Sequence, residues 1–114
     1  MTTAKEKHSM QTLIVPLNEL AEKEYNRASS IHGDKFLTLH DGYGVIAEEV
    51  QESGDEVERI EAVMYQLLSA IRESRGKGIV DYAAYIRDRA IDGAAELVQV
   101  AAMCIKMEKT VMGE

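Results

Sequence analysis

Apolar residues recur along this chain every three or four positions, the period of an amphipathic helix, and almost nowhere alternate as a strand would. Leu13, Leu17, Leu20, Ala21 and Ala28 predict a first helix over about residues 11–29. Pro16 sits awkwardly inside it, so the regular helix is expected to begin there, with Pro16 in its first turn. Residues 29–34 read as a break. Phe36, Leu39, Tyr43, Ile46, Ala47 and Val50 then form the stripe of a second helix. Ser53-Gly54-Asp55 is expected to end or kink it, with Asp55 capping a third helix that carries Val57, Ile60, Met64, Leu67, Leu68 and Ile71. Gly76-Lys77-Gly78 supplies a turn. The last helix is predicted over about residues 80–111, with Ile91, Ala94, Val98, Ala101, Ala102 and Ile105 on one small-residue stripe. From Leu97 to Ile105 its only polar side chain is Gln99, so this segment should be covered on several sides. The pattern is that of an all-α, four-helix bundle.

With 114 residues the chain is read as one domain over residues 1–114, its first ten residues a polar, flexible N-terminus. A single Pro, a single Phe and no Trp, beside abundant Ala, Glu, Met, Leu and Ile, agree with helix over strand. The formal net charge of −7, with basic residues scattered, argues against nucleic acid as a partner. No apolar run reaches membrane-spanning length and no signal-peptide core precedes the first helix, so a cytoplasmic protein is expected. The lone Cys104 lies among apolar residues as a small hydrophobe. His8, His32 and His40 have no metal-ligand spacing, and His40 reads as a helix-start or packing residue.

The carboxylates change the picture. Glu96 interrupts an otherwise apolar run, and an ionised acid in a core is costly unless paired or bound to a cation. On the second helix Glu49, Glu52 and Glu56 fall along one edge of the apolar stripe, while Glu48 points further towards solvent. On the last helix Asp92, Glu96, Gln99, Met103 and Lys106 share a face. If the two faces meet, several acids converge and repel. A hard divalent cation would resolve that conflict and could bind phosphates. Charged helix edges are more often solvated faces, which is the expectation for Glu48, Asp55, Glu56, Glu58 and Glu61. Gln99 could be a core amide bridging helices, and Lys106 a snorkelling surface lysine.

The stretch His40-Asp41-Gly42-Tyr43-Gly44-Val45-Ile46-Ala47-Glu48-Glu49-Val50-Gln51-Glu52, with Glu96-Leu97-Val98-Gln99-Val100-Ala101-Ala102-Met103 downstream, resembles the MazG-like all-α nucleoside triphosphate pyrophosphohydrolases. It is most similar to the small members found in phages and prophages of Gram-positive bacteria. That family carries Glu-Glu-x-x-Glu on one helix and Glu-x-x-Asp on a later one, the acids binding magnesium. Glu48, Glu49 and Glu52 complete the first motif; Glu96 matches the second, and Gln99 stands where the family has Asp. The stretch 53–95 is longer than usual and reads as an insertion.

The resemblance implies a Mg2+- or Mn2+-dependent pyrophosphohydrolase acting on a nucleoside triphosphate in a house-cleaning role. Glu49, Glu52, Glu96 and Gln99 would hold the metal, with Asp92 a further acid. Glu48 would orient or deprotonate the attacking water, and Lys106 would reach a phosphate. It also implies a shared core in a homodimer or homotetramer, as does a last helix apolar on more faces than one neighbour can cover. The alternative, which Gln99 and the insertion favour, is a catalytically decayed helical binding or regulatory protein of phage origin.

Overall fold

The computed structural model describes residues 3–113, which form three α-helices and no strand: α1 (Ala4–His32), α2 (Leu39–Arg72) and α3 (Gly76–Met112). The expected all-α class is found; the expected four helices are three. Met1 and Thr2 of the polar N-terminal segment lie outside the described residues, and from Ala4 onward the chain is helical. Pro16 therefore lies inside α1 and does not begin it. Proline removes a single N–H from the ladder, and residues on both sides continue the helix around it.

Helix boundaries follow from local chemistry. α1 ends at Gly33, whose positive φ of 90° suits a residue without Cβ and whose N–H donates to the Ser29 carbonyl at 2.9 Å. Thr38 caps α2: its Oγ1 accepts from the Asp41 N–H at 3.0 Å, satisfying one of the unpaired first-turn donors. His40 is an exposed residue of that first turn.

The expected break at Ser53-Gly54-Asp55 does not occur, and Asp55 caps nothing. Ser53 is buried, and its hydroxyl donates to the Glu49 carbonyl one turn back at 3.0 Å. That bond lets a residue often found at helix ends remain in the interior. The turn after α2 also falls earlier than Gly76-Lys77-Gly78. The N–H of Arg75 bonds the Ala70 carbonyl at 2.9 Å and that of Ser74 bonds Ile71 at 3.1 Å, with Ser74 at φ 53°. Both glycines then lie in the first turn of α3.

The helices contribute to two compact units. The first takes residues up to Ile46 and from Val98 onward; the second is residues 47–97. In the first unit Tyr25, Ala28, Ala102 and Met103 form the buried core, with Phe36, Ile46 and Ile105 packed against it. The segment between α1 and α2 is tied down by polar bonds. Tyr25 donates its phenol to the Asp34 carbonyl at 3.1 Å, and the Phe36 N–H donates to Thr110 Oγ1 at 2.9 Å. Gly42 allows the closest approach: a Cβ there would stand 2.5 Å from Met107 Cε and 2.7 Å from Phe36 Cδ2.

The second unit is a helical hairpin. A Cβ on Gly78 would lie 3.4 Å from that of Ala70, and one on Gly93 would lie 3.3 Å from that of Glu56. As positions on α3 rise, their partners on α2 fall, so the two helices run antiparallel. That register carries α3 past Gly93 to bring Glu96 opposite the stretch containing Glu52 and Glu49.

Apolar coverage is thin. Among the described residues no large side chain is fully buried, and Leu13, Val15, Leu17, Val57, Ile91 and Leu97 are all exposed. The chain presents 8215 Å² of surface, where a monomeric globular protein of this mass averages roughly 6,200 Å².

Gly54 tests the continuity of α2. Within a helix interior with nothing within 4 Å of a new Cβ, Gly54→Ala should raise unfolding stability by about 0.5–1 kcal/mol in urea titrations. A neutral or destabilising result would mean that the helix breaks there. Gly42→Val should instead destabilise by roughly 1–3 kcal/mol, since Phe36 and Met107 must both move.

Candidate metal centre

Three of the acids singled out by the sequence meet in the second unit. Glu49 and Glu52 come from α2 and Glu96 from α3, and one carboxylate oxygen from each lies within 4.8 Å of the others. Glu49 and Glu96 are half-buried; Glu52 is exposed. Gly93, one turn before Glu96, lets the α3 backbone press close to Glu56, and the hairpin register does the rest. Ser53, next to Glu52, donates its hydroxyl to the Glu49 carbonyl one turn back.

The electrostatics are those of crowded like charges. The Glu52 carboxyl is held above the usual carboxylate range, first by a hydrogen bond to Glu96, then by burial and by the charges of Glu96, Glu48 and Asp55. Glu96 is raised chiefly by its hydrogen bond to Glu49. A hydrogen bond from Glu52 opposes that rise, and burial and the charges of Glu49 and Glu56 add to it. Among the described residues, neither lysine nor arginine forms an ion pair with Glu49, Glu52 or Glu96.

The donor set fits a hard divalent cation. Mg2+ takes oxygens at about 2.0–2.1 Å, which places opposite ligands roughly 4.2 Å apart. Three carboxylate oxygens within 4.8 Å of one another need only small side-chain rotations to reach such a shell. The charge of the cation would also remove the repulsion that raises Glu52 and Glu96.

The remaining candidates are placed as follows. Glu48 is exposed, and its charge acts on Glu52. Asp92 is exposed and pairs with Arg89 at 2.8 Å. Gln99 and Lys106 belong to the first unit. There Gln99 hydrogen-bonds Glu24, helping Arg27 to hold that acid below the usual range. Lys106 is no snorkelling surface lysine: it is 6% exposed, and its ammonium lies 4.7 Å from the centre of the Phe36 ring. His32 and His40 take no part in the cluster, and the side chain of His8 lies outside the described residues.

Glu56 departs from the solvated face expected of it. Its side chain is 12% exposed and pairs with Arg59 at 2.7 Å and Arg89 at 3.3 Å. Arg89 in turn stacks on Tyr85, 5.7 Å from the ring centre. Sequence reasoning missed this pair and Gly93. The available signal was the helical offset: Glu56 is one turn beyond Glu52, and on the facing helix Arg89 and Gly93 lie two turns and one turn before Glu96.

Comparison of the chain with protein-family models, with curated proteins and with solved structures finds no match in any of the three.

The raised carboxyls have a pH signature. A native acid with a raised pKa binds more protons than its unfolded counterpart, so stability falls as pH climbs from the ordinary value of 4.5 through the raised one. Above that window the cost is fully present. Metal-free Glu96→Gln should therefore melt above the wild type at pH 7, with the gap closing as pH falls towards 4.5. Glu24 acts with the opposite sign but cancels in the difference. A gap independent of pH would rule out carboxylate repulsion as its source.

Proposed function

We propose that this chain is a MazG-like, Mg2+- or Mn2+-dependent nucleoside triphosphate pyrophosphohydrolase. The observation that carries the reading is the convergence of Glu49, Glu52 and Glu96, from two helices, within 4.8 Å and without a cationic partner among the described residues. Glu49 and Glu52 belong to a complete Glu-Glu-x-x-Glu motif like the family's, and Glu96 matches the first position of its later Glu-x-x-Asp, where Gln99 stands for the Asp. When bound, the cation would neutralise the substrate's phosphates and polarise the anhydride between the α- and β-phosphates.

Glu49, Glu52 and Glu96 are the holding residues. Glu48, exposed beside them, accepts the proton of the attacking water. One water adds across the α–β anhydride, giving a nucleoside monophosphate and pyrophosphate. The holding set is confined to the three acids that meet in the second unit.

The expected outcome is a melting temperature that rises with Mg2+ or Mn2+, and further when nucleotide is added, because a ligand bound only by the native state stabilises it. Glu49→Gln and Glu96→Gln should lose that rise and lower pyrophosphate release at least about a hundredfold. Equal release by wild type and Glu49→Gln would remove the enzyme reading.

A second reading keeps the scaffold without the catalysis: a helical binding or regulatory protein of phage origin. It draws on Gln99, which stands where the family has an acid and is bonded to Glu24. Melting curves that superimpose with and without metal would favour it.

Exposed Leu13, Leu17, Ile91 and Leu97 and the large total surface support assembly into a homodimer or homotetramer. Light scattering at micromolar concentration should return a multiple of the 12.7 kDa chain mass; a monomer would count against assembly.

A further inference from the structure

One face of the α2–α3 hairpin is apolar along its length and is covered by no other part of the chain. On α2, Val50, Val57, Met64 and Ile71 recur every seven residues, and all are exposed. On α3, Ala83 and Ala90 keep the same interval and are exposed too. Seven residues are close to two helical turns, so each set forms one stripe. The stripes lie on the same side of the hairpin, since Val57 and Ala90 wall one cleft between the helices. A single charge interrupts each: Glu61 between Val57 and Met64, and Arg87 between Ala83 and Ala90. The antiparallel register that sets Gly93 against Glu56, and Gly78 against Ala70, puts these two charges at one level. Arg87 pairs with its chain neighbour Asp88 at 3.3 Å, and Glu61 makes no ion pair among the described residues.

Such a face is complementary to itself. The α2 stripe is bulky and bears an acid; the α3 stripe is small and bears a base. A two-fold axis parallel to the helices, lying between two such faces, sets α2 of each copy against α3 of the other without changing level. Val57 and Met64 then meet the partner subunit's Ala90 and Ala83, and Glu61 meets Arg87 of the partner subunit. A two-fold axis across the helices sets like on like instead. Bulk then opposes bulk, alanine faces a gap, and Glu61 opposes Glu61 of the partner subunit. Large against small and acid against base both select the first arrangement.

The size of the face fits this use. From Val50 to Ile71 it is about 30 Å long and two helices, roughly 20 Å, wide. That footprint is of the order of the roughly 800 Å² that each partner gives to a stable interface. The 8215 Å² of the chain exceeds the roughly 6,200 Å² of an average monomer of its mass by more than this.

We propose that this hairpin face is where two copies of the chain join, as an antiparallel four-helix bundle with α2 of each against α3 of the other. The proposal rests on the assembly reading above and adds to it the face, the orientation and the pairing of charges. It also gives the long stretch 53–95 a role of its own, separate from the acids.

Sedimentation velocity of the full chain over a concentration series tests it. Glu61→Arg and Arg87→Glu should each raise the dissociation constant at least about tenfold, because each sets two pairs of like charges in the bundle. An equimolar mixture of the two variants should return to the wild-type value, since each supplies the charge that the other lacks. Met64→Glu should leave a monomer with the circular dichroism of the wild type, the position being exposed in a single chain. Single charge variants no weaker than the wild type, with a mixture tighter than either, would mean the crossed orientation and overturn the proposal. Association untouched by Met64→Glu would put assembly on another face, which sinks this proposal and leaves the assembly reading standing. A wild-type chain that stays monomeric throughout defeats both. Phosphatidylcholine vesicles that bind that monomer and not Met64→Glu would then identify a lipid surface as the occupant.

Discussion

At Gly93 nothing but backbone faces α2, and a methyl group there would already stand 3.3 Å from the Cβ of Glu56. That close approach controls the second unit. It sets the separation of two long helices near their midpoints, and the hairpin turn at residues 73–75 sets their register. Separation and register together decide which side chains oppose one another. A larger residue at position 93 would push α3 outward and move Glu96 away from Glu49 and Glu52.

What the approach brings together is electrostatically unfavourable in the protein alone. Glu52 and Glu96 are both held above the usual carboxylate range by hydrogen-bonded acids, burial and neighbouring negative charge. A short distance along the hairpin, the same helices show how such charge is compensated: Arg89 pairs with both Glu56 and Asp92, and Arg59 adds to Glu56. One pair of helices thus carries both a compensated and an uncompensated group of acids.

The first unit shows a different use of charge. Lys106 is almost completely buried, yet its ammonium lies over the face of Phe36, while Thr110 bridges the Lys106 carbonyl and the Phe36 N–H. Lys109 lies similarly over Tyr25, 5.4 Å from the ring centre. Aromatic faces thus accept two cations from α3, and the side chains anchor the segment entering α2. Around this small core many apolar residues remain uncovered, which a chain of long helices and short connections cannot avoid without further surface to pack against.

The helical period, the acids and their spacing belong to the sequence by itself. A 3.6-residue pattern sets helix class and places Glu49 beside Glu52, because both depend only on local geometry. The pattern also marked Glu96 as anomalous, since its neighbours are apolar. Where helices stop was less legible. Ser53-Gly54-Asp55 has the composition of a break, and only a hydroxyl bond to the carbonyl of Glu49 in a continuous α2 makes Ser53 an interior residue. Beyond the meeting of Glu49 and Glu52 with Glu96, partners across helices were not legible. Glu56 looked like a solvated acid until Arg89, distant in sequence, was brought against it. Tertiary structure decided these because a side chain's partner depends on the separation and register of two helices, and neither is encoded in the period of one.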